Sequence, residues 1–282
     1  MKSLHRNYRF VITAVLALSF SNWVQAASIM PDFSSVPTGW SVDRYAPDSF
    51  SNVGSFQGQN NVLGIGIGPN GATGNRPAGE QANFYSTQGM GHAVAGGAGD
   101  LLQAALYVQS SWMDPTQGAV RTGMWGVMTD SSNNVTDYPI MDFTNTGTGT
   151  ADLNSSGVHD NFIGFRVWSD ALNGGNGGWY DLSNVNVNQN AWNTLGIYFT
   201  GTNYNFYVNG QDVLSYAAAA GTSTFSNVLM EAVNYSGDTY YPGAVANSYT
   251  AHWANVPEPA TLALMGLGLI GLATSRRHAK AN

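Results

Sequence analysis

Cysteine is absent from the 282 residues, so no disulfide supports the fold in an oxidising compartment. Charge is sparse, at 10% of residues, and unevenly signed. Between residues 27 and 256 there is no lysine; Arg44, Arg76, Arg121 and Arg166 stand against sixteen Asp and Glu, a net charge of −12. Nucleic acid is therefore excluded as a partner, because phosphate binding needs Lys and Arg to replace counterions. Acidic polysaccharides are disfavoured by the same repulsion unless a metal bridges them. Long amphipathic helical patterns are missing, and the uninterrupted apolar runs are confined to the two ends.

At the N-terminal end, Lys2, Arg6 and Arg9 precede the run Phe10 to Phe20, and Val24-Gln25-Ala26 offers small residues where a signal peptidase reads. This pattern predicts a signal peptide over 1–26 and export; a retained membrane anchor is the plain alternative. At the other end, Ala260 to Thr274 is fifteen residues without a charge, about 22 Å as a helix. A bilayer core of about 30 Å usually takes about 20 apolar residues, so the predicted transmembrane segment 260–274 spans with flanking help. Arg276, Arg277 and Lys280 follow it and hold that end on the cytoplasmic side. A buried C-terminal helix is the alternative, although the run has no amphipathic face.

Val256-Pro257-Glu258-Pro259, the short apolar run and Arg276-Arg277, in that order, resemble the tripartite sorting tail of PEP-CTERM proteins of Gram-negative bacteria. The resemblance covers residues 256–282. It implies reading by exosortase, an inner-membrane enzyme that cuts near the Pro-Glu-Pro and releases the protein toward the cell surface, commonly in bacteria that make exopolysaccharide. Pro257 and Pro259 lack a backbone N–H and force extended chain on either side of Glu258. Glu258 is then a recognition residue; a plain Pro-rich linker ahead of an anchor is the alternative. The expected route is export across the inner membrane, transient anchoring through the C-terminal helix, then the cell surface or extracellular matrix.

The segment 27–255 has the length of one large β domain or two small ones, and no linker divides it. Leu195, Ile197 and Phe199 alternate with Thr194, Gly196 and Tyr198, and Tyr204, Phe206 and Val208 alternate with Asn205 and Tyr207, the period of two that marks strands. Asn209-Gly210 before Gln211 to Tyr216 is the preferred pair for a two-residue type I′ turn. Further strands are predicted at Leu101 to Trp112, Arg121 to Met128, Tyr138 to Phe143, Phe162 to Trp168, Val228 to Tyr235 and Ser248 to Trp253. Nine or more such strands imply an all-β fold of two packed sheets. Trp192 to Phe199 leading into Phe206-Tyr207-Val208-Asn209-Gly210 resembles the laminin G and concanavalin A-like jelly-roll families. That resemblance implies a two-sheet jelly-roll β-sandwich, with Ser41 to Pro47 and Phe84 to Gly89 as its early strands and loops.

Most catalytic patterns fail. Gly66-Ile67-Gly68-Pro69-Asn70-Gly71 is a glycine pattern of dinucleotide sites, yet no helix follows and Pro69-Asn70-Gly71 reads as a turn. Laminarinase-like hydrolases carry two Glu and an Asp on one strand, whereas Glu80 and Glu231 are the only Glu of this segment and lie far apart. Lyases acting on uronic acids need a base beside groups that neutralise a carboxylate, and four Arg supply little. His92, His159 and His252 sit in no recognisable frame. Asp130, Ser132 and Asn134 follow calcium-loop spacing, but Val135 and Met141 replace the required Gly and Glu. Asp170, Asn173, Asn176 and Asp181 are candidate calcium ligands in a Gly-rich segment; a solvated loop is the simpler reading.

One constellation carries more. By strand alternation, Arg166, Glu231 and Asp142 are polar residues interrupting apolar strands. If those strands are neighbours, the three meet Trp125 on one sheet face, where jelly-roll lectins and hydrolases hold sugar. The simpler outcome is an Arg166–Glu231 ion pair that covers the sheet. The expectation is a carbohydrate-binding or structural module associated with exopolysaccharide, with a neutral polysaccharide as ligand and the question of enzymatic activity open. A glycoside hydrolase or lyase with an unrecognised site is the rival, and a protein-binding adhesin a third reading.

Overall fold

The computed structural model describes residues 28–146, 162–170, 172, 177–238, 246 and 248–257. In chain order the strands are β1 (Trp40–Val42), β2 (Ser49–Asn52), β3 (Leu63–Ile67), β4 (Thr87–Gly96), β5 (Leu101–Val108), β6 (Arg121–Thr129), β7 (Val135–Asp137), β8 (Ile140–Thr144), β9 (Gly164–Ser169), β10 (Gly178–Asp181), β11 (Ala191–Phe199), β12 (Asn203–Val208), β13 (Gln211–Ala217), β14 (Thr224–Val233) and β15 (Tyr249–Ala254). Short 3-10 turns are the helical backbone among the described residues. No helix there is long and apolar enough to cross a membrane, and the run 260–274 lies outside the described residues.

Two antiparallel sheets result. The first has the order β13-β12-β11-β5-β15-β3-β2; the second runs β1-β4-β14-β6-β8-β9-β10, with β7 added beside β6. This is a two-sheet jelly-roll sandwich. Its core is where the period-two residues point: Leu102, Leu106, Leu195, Ile197, Phe199, Phe206 and Trp253 from the first sheet face Met124, Met141, Phe143, Phe165, Val167, Val228 and Met230 from the second. The Asn209-Gly210 turn joins β12 to β13 with both residues at positive φ, +49° and +80°, and Val208 pairs with Gln211 across it. Type I′ geometry asks for that combination.

Several strands lie outside the alternating pattern. β3 is Leu-Gly-Ile-Gly-Ile; a Cβ on Gly66 would overlap the Ser49 hydroxyl of neighbouring β2, and one on Gly64 would lie 2.7 Å from a Val53 methyl. In β4, a Cβ on Gly89 would lie 2.5 Å from Glu231 Oε2 and one on Gly91 2.8 Å from a Leu229 methyl. Glycine weakens a strand in isolation, but here it makes room for large neighbours to lie across the sheet. The segment 177–181, expected to be loop, contains β10, which adds an edge strand to β9.

Candidate binding face

On the second sheet, even-numbered residues of β6 and odd-numbered residues of β8 and β9 enter the core, so their alternates share the outer face. The register aligns them into rows across the strands. One row is Glu231, Gly123, Asp142, Arg166 and Asp181, running from β14 through β6, β8 and β9 to β10. The next is Leu229, Trp125, Ile140, Trp168 and Trp179. A charged row thus runs beside a largely aromatic one, two residues or about 6.6 Å away along each strand. Glu231, Asp142, Arg166 and Trp125, the four sequence candidates, fall on this one face.

Their partners differ from the expected Arg166–Glu231 pair. Arg166 lies 3.2 Å from Asp181 Oδ1, and Asp142 Oδ2 accepts a 2.7 Å bond from Arg121 Nε. A Cβ on Gly123 would overlap Asp142 Oδ1, so glycine is what lets that carboxylate lie across β6. The Arg121 guanidinium sits 4.4 Å from the Trp179 ring centre, and that of Arg166 5.3 Å from it. The Trp168 and Trp179 rings are 5.4 Å apart, and Trp125, Trp168 and Trp179 are all half-buried. Arg121, Trp168 and Trp179 were not site candidates in the sequence, and Asp181 was one only as a calcium ligand, since Arg121 opens its strand and the others border a Gly-rich segment.

A loop covers one end. Arg44, following β1, lies 4.2 Å over the Trp125 ring and 5.1 Å from the Phe84 ring centre. The Glu231 side chain is buried, and burial is the main cause that pushes its carboxyl well above the usual range; Arg44 opposes this, while Asp43 and Asp142 add to it. Its strand is fixed from both sides. Thr122 Oγ1 donates to Glu231 O at 2.7 Å and accepts from Trp253 Nε1 at 3.2 Å. The crevice that Thr87, Gly123, Trp125, Asp142 and Glu231 line is too narrow to admit a water molecule.

Two of the four calcium candidates, Asp170 and Asp181, lie among the described residues. Asp181 ends β10 in its contact with Arg166, Asp170 donates its backbone N–H to Asp137 Oδ1 at 3.0 Å, and Asn173 and Asn176 lie outside the described residues. Burial and Asp137 push the Asp170 carboxyl up. Among the described residues no group of three or more His, Asp or Glu is placed to hold a metal. Of the tail candidates, Pro257 is exposed just after β15, and Glu258, Pro259, Arg276 and Arg277 lie outside the described residues.

The chain carries a PEP-CTERM protein-sorting motif over residues 255–277. That motif implies an exported protein, held at the membrane by its C-terminal region before cleavage and processed by exosortase, a sorting enzyme. No curated protein matches the sequence. Among solved structures, the chain is similar to a Bacteroides ovatus GH16 protein of a mixed-linkage glucan locus (11% identity, TM-score 0.46, covering 79% of this chain and 97% of that one). It is also similar to a Bacillus licheniformis beta-glucanase (14%, 0.39, 79% and 94%) and the carbohydrate-binding module CBM66 from Bacillus subtilis (10%, 0.37, 82% and 98%).

Proposed function

We propose that this exported protein is a carbohydrate-binding module of the cell surface or extracellular matrix, and that it holds a neutral polysaccharide on the outer face of its second sheet. The observation that carries the reading is the pair of neighbouring rows: Trp125, Trp168 and Trp179 beside Asp142, Arg166 and Asp181. A sugar ring offers an apolar face to an aromatic plane and hydroxyls to polar groups beside it; the half-buried tryptophans and Asp181 can serve such a chain, whereas Asp142 and Arg166 are buried, Arg166 backing Asp181 at 3.2 Å. A ligand reaching Trp125 displaces the Arg44 guanidinium, which Asp43 holds at 3.2 Å. The net charge of −12 on residues 27–256 repels polyanions, which favours neutral glycans.

Affinity electrophoresis through gels cast with dextran, laminarin, galactomannan or alginate tests this. Retardation is expected in at least one neutral gel and should change little between low and high salt, because stacking and hydrogen bonding are barely screened. Removing Trp125 and Trp179 together should weaken it roughly tenfold, at about 0.5–1.5 kcal/mol for each ring. Retardation that ignores both tryptophans would remove this face as the site.

A further inference from the structure

The opposite side of the sandwich has a feature unrelated to the tryptophan rows. After β5 the chain folds into the 3-10 turns Ser110–Met113 and Pro115–Gln117. Together with β3, β15 and Asp48, this segment lines a cleft of about 640 Å³, a volume typical of small-molecule sites, which run to about 300–1,000 Å³. Gln109, Ser111, Gln117, Thr250 and His252 supply much of its polar lining.

The chemistry of that lining is nearly uncharged. Asp48 is already engaged, accepting from Gly71 N at 2.9 Å and Asn70 N at 3.3 Å. Burial lowers the His252 pKa, which keeps the ring neutral at neutral pH. Its orientation is fixed by a parallel stack on Phe56, with ring centres 3.9 Å apart and planes 4° from parallel. Tyr107 and Trp192 pack edge-on against Phe56, and Trp192 Nε1 donates to Gln57 O at 2.9 Å, so the stack has a rigid backing.

We infer that this cleft is a second carbohydrate site, one that takes the end or a branch of a neutral saccharide. Gln, Ser and Thr side chains both donate and accept, which matches a ligand made of hydroxyl groups. An apolar ligand would leave these groups without partners. An anion would meet Asp48 and a domain of strongly negative charge. Because the tryptophan rows and the cleft lie on opposite sheets, one chain engages two glycan strands at once and cross-links them, with the gain in avidity that bivalence brings. The inference stands on its own geometry, so either site can fail without the other.

The same gels decide it, run with the full-length chain in detergent. Two sets of variants outside the core alter the cleft: Gln109→Ala with Gln117→Ala removes hydrogen-bonding groups, and Ser111→Trp fills space. In at least one neutral gel the paired glutamine variant should weaken retardation about tenfold, the effect of two lost hydrogen bonds, Ser111→Trp should weaken it by blocking the cleft, and binding should persist when Trp125 and Trp179 are removed. Retardation unaffected by both cleft sets, yet lost with the tryptophans, overturns the cleft and leaves the tryptophan face. Loss with the cleft sets alone supports the cleft and removes the tryptophan face. A parent chain that no neutral gel retards overturns both.

Discussion

Glu231 carries a carboxyl far from its solution environment. Its carboxyl is buried in the second sheet, with burial the leading cause of a pKa pushed well above the ordinary 4.5. A carboxyl raised in the folded state contributes its full stability below the unfolded value, and that contribution is lost as pH rises toward the folded one, since the unfolded chain then releases a proton that the folded chain keeps. Glutamine copies the neutral acid in shape. Glu231→Gln should therefore melt with the parent near pH 4.5 and become progressively more stable than it at higher pH, by about 1.4 kcal/mol per unit until the folded pKa is reached. Parallel melting curves from pH 4 to 9 would show that the carboxyl is not held neutral. Glu231, Asp142 and Arg166 were legible in sequence because each interrupts an apolar strand. Their pairing was not, since it depends on which strand brings Asp181 and Arg121 alongside, and Arg44 reaches Trp125 from a loop with no periodicity to read.

At the scale of elements, β15 does more than complete the first sheet. Tyr249 crosses the core from it, and its hydroxyl lies 2.8 Å from both Arg121 O of β6 and Val233 O of β14, donating to either, and accepts from Val233 N at 3.1 Å. It thereby closes the end of the ladder between two strands of the opposite sheet, where Trp112 packs edge-on against its ring. Tyr249→Phe would leave these buried backbone groups without that partner, at a cost of about 1–3 kcal/mol. Thermal melting should register roughly 2–4 °C for each kcal/mol in a chain of this size, and an unchanged midpoint would mean that another group takes the hydroxyl's place. β11 to β13 were readable because one buried face imposes strict alternation and Asn209-Gly210 suits the turn. β3 and β4 were not, because their glycines answer to Ser49, Glu231 and Leu229, contacts visible only once neighbouring strands are known.

In the whole molecule, the fold and the sorting motif meet at Asn255 and Val256. Asn255, the first of the motif, accepts from Phe33 N through its side-chain oxygen at 2.9 Å and donates to Pro31 O at 2.9 Å, binding the end of β15 to the first described turn. Val256 packs against the satellite cluster of Val62, Ala105 and Ala254. The chain is thus held by the sandwich up to 256, and Pro257 after it is exposed. We propose that Pro257 and Pro259, which favour extended chain on either side of Glu258, let a processing enzyme read that glutamate. Glu258→Ala leaves the prolines, the apolar run and the basic stop intact, so insertion should proceed while recognition fails. The variant should then accumulate as full-length precursor in the inner-membrane fraction, with the released form lost and the melting of the sandwich unchanged. Immunoblots of membrane and extracellular fractions read this directly. Release of Glu258→Ala at the parent's level would mean that the glutamate is not what the sorting enzyme reads, and that the two prolines and the helix suffice.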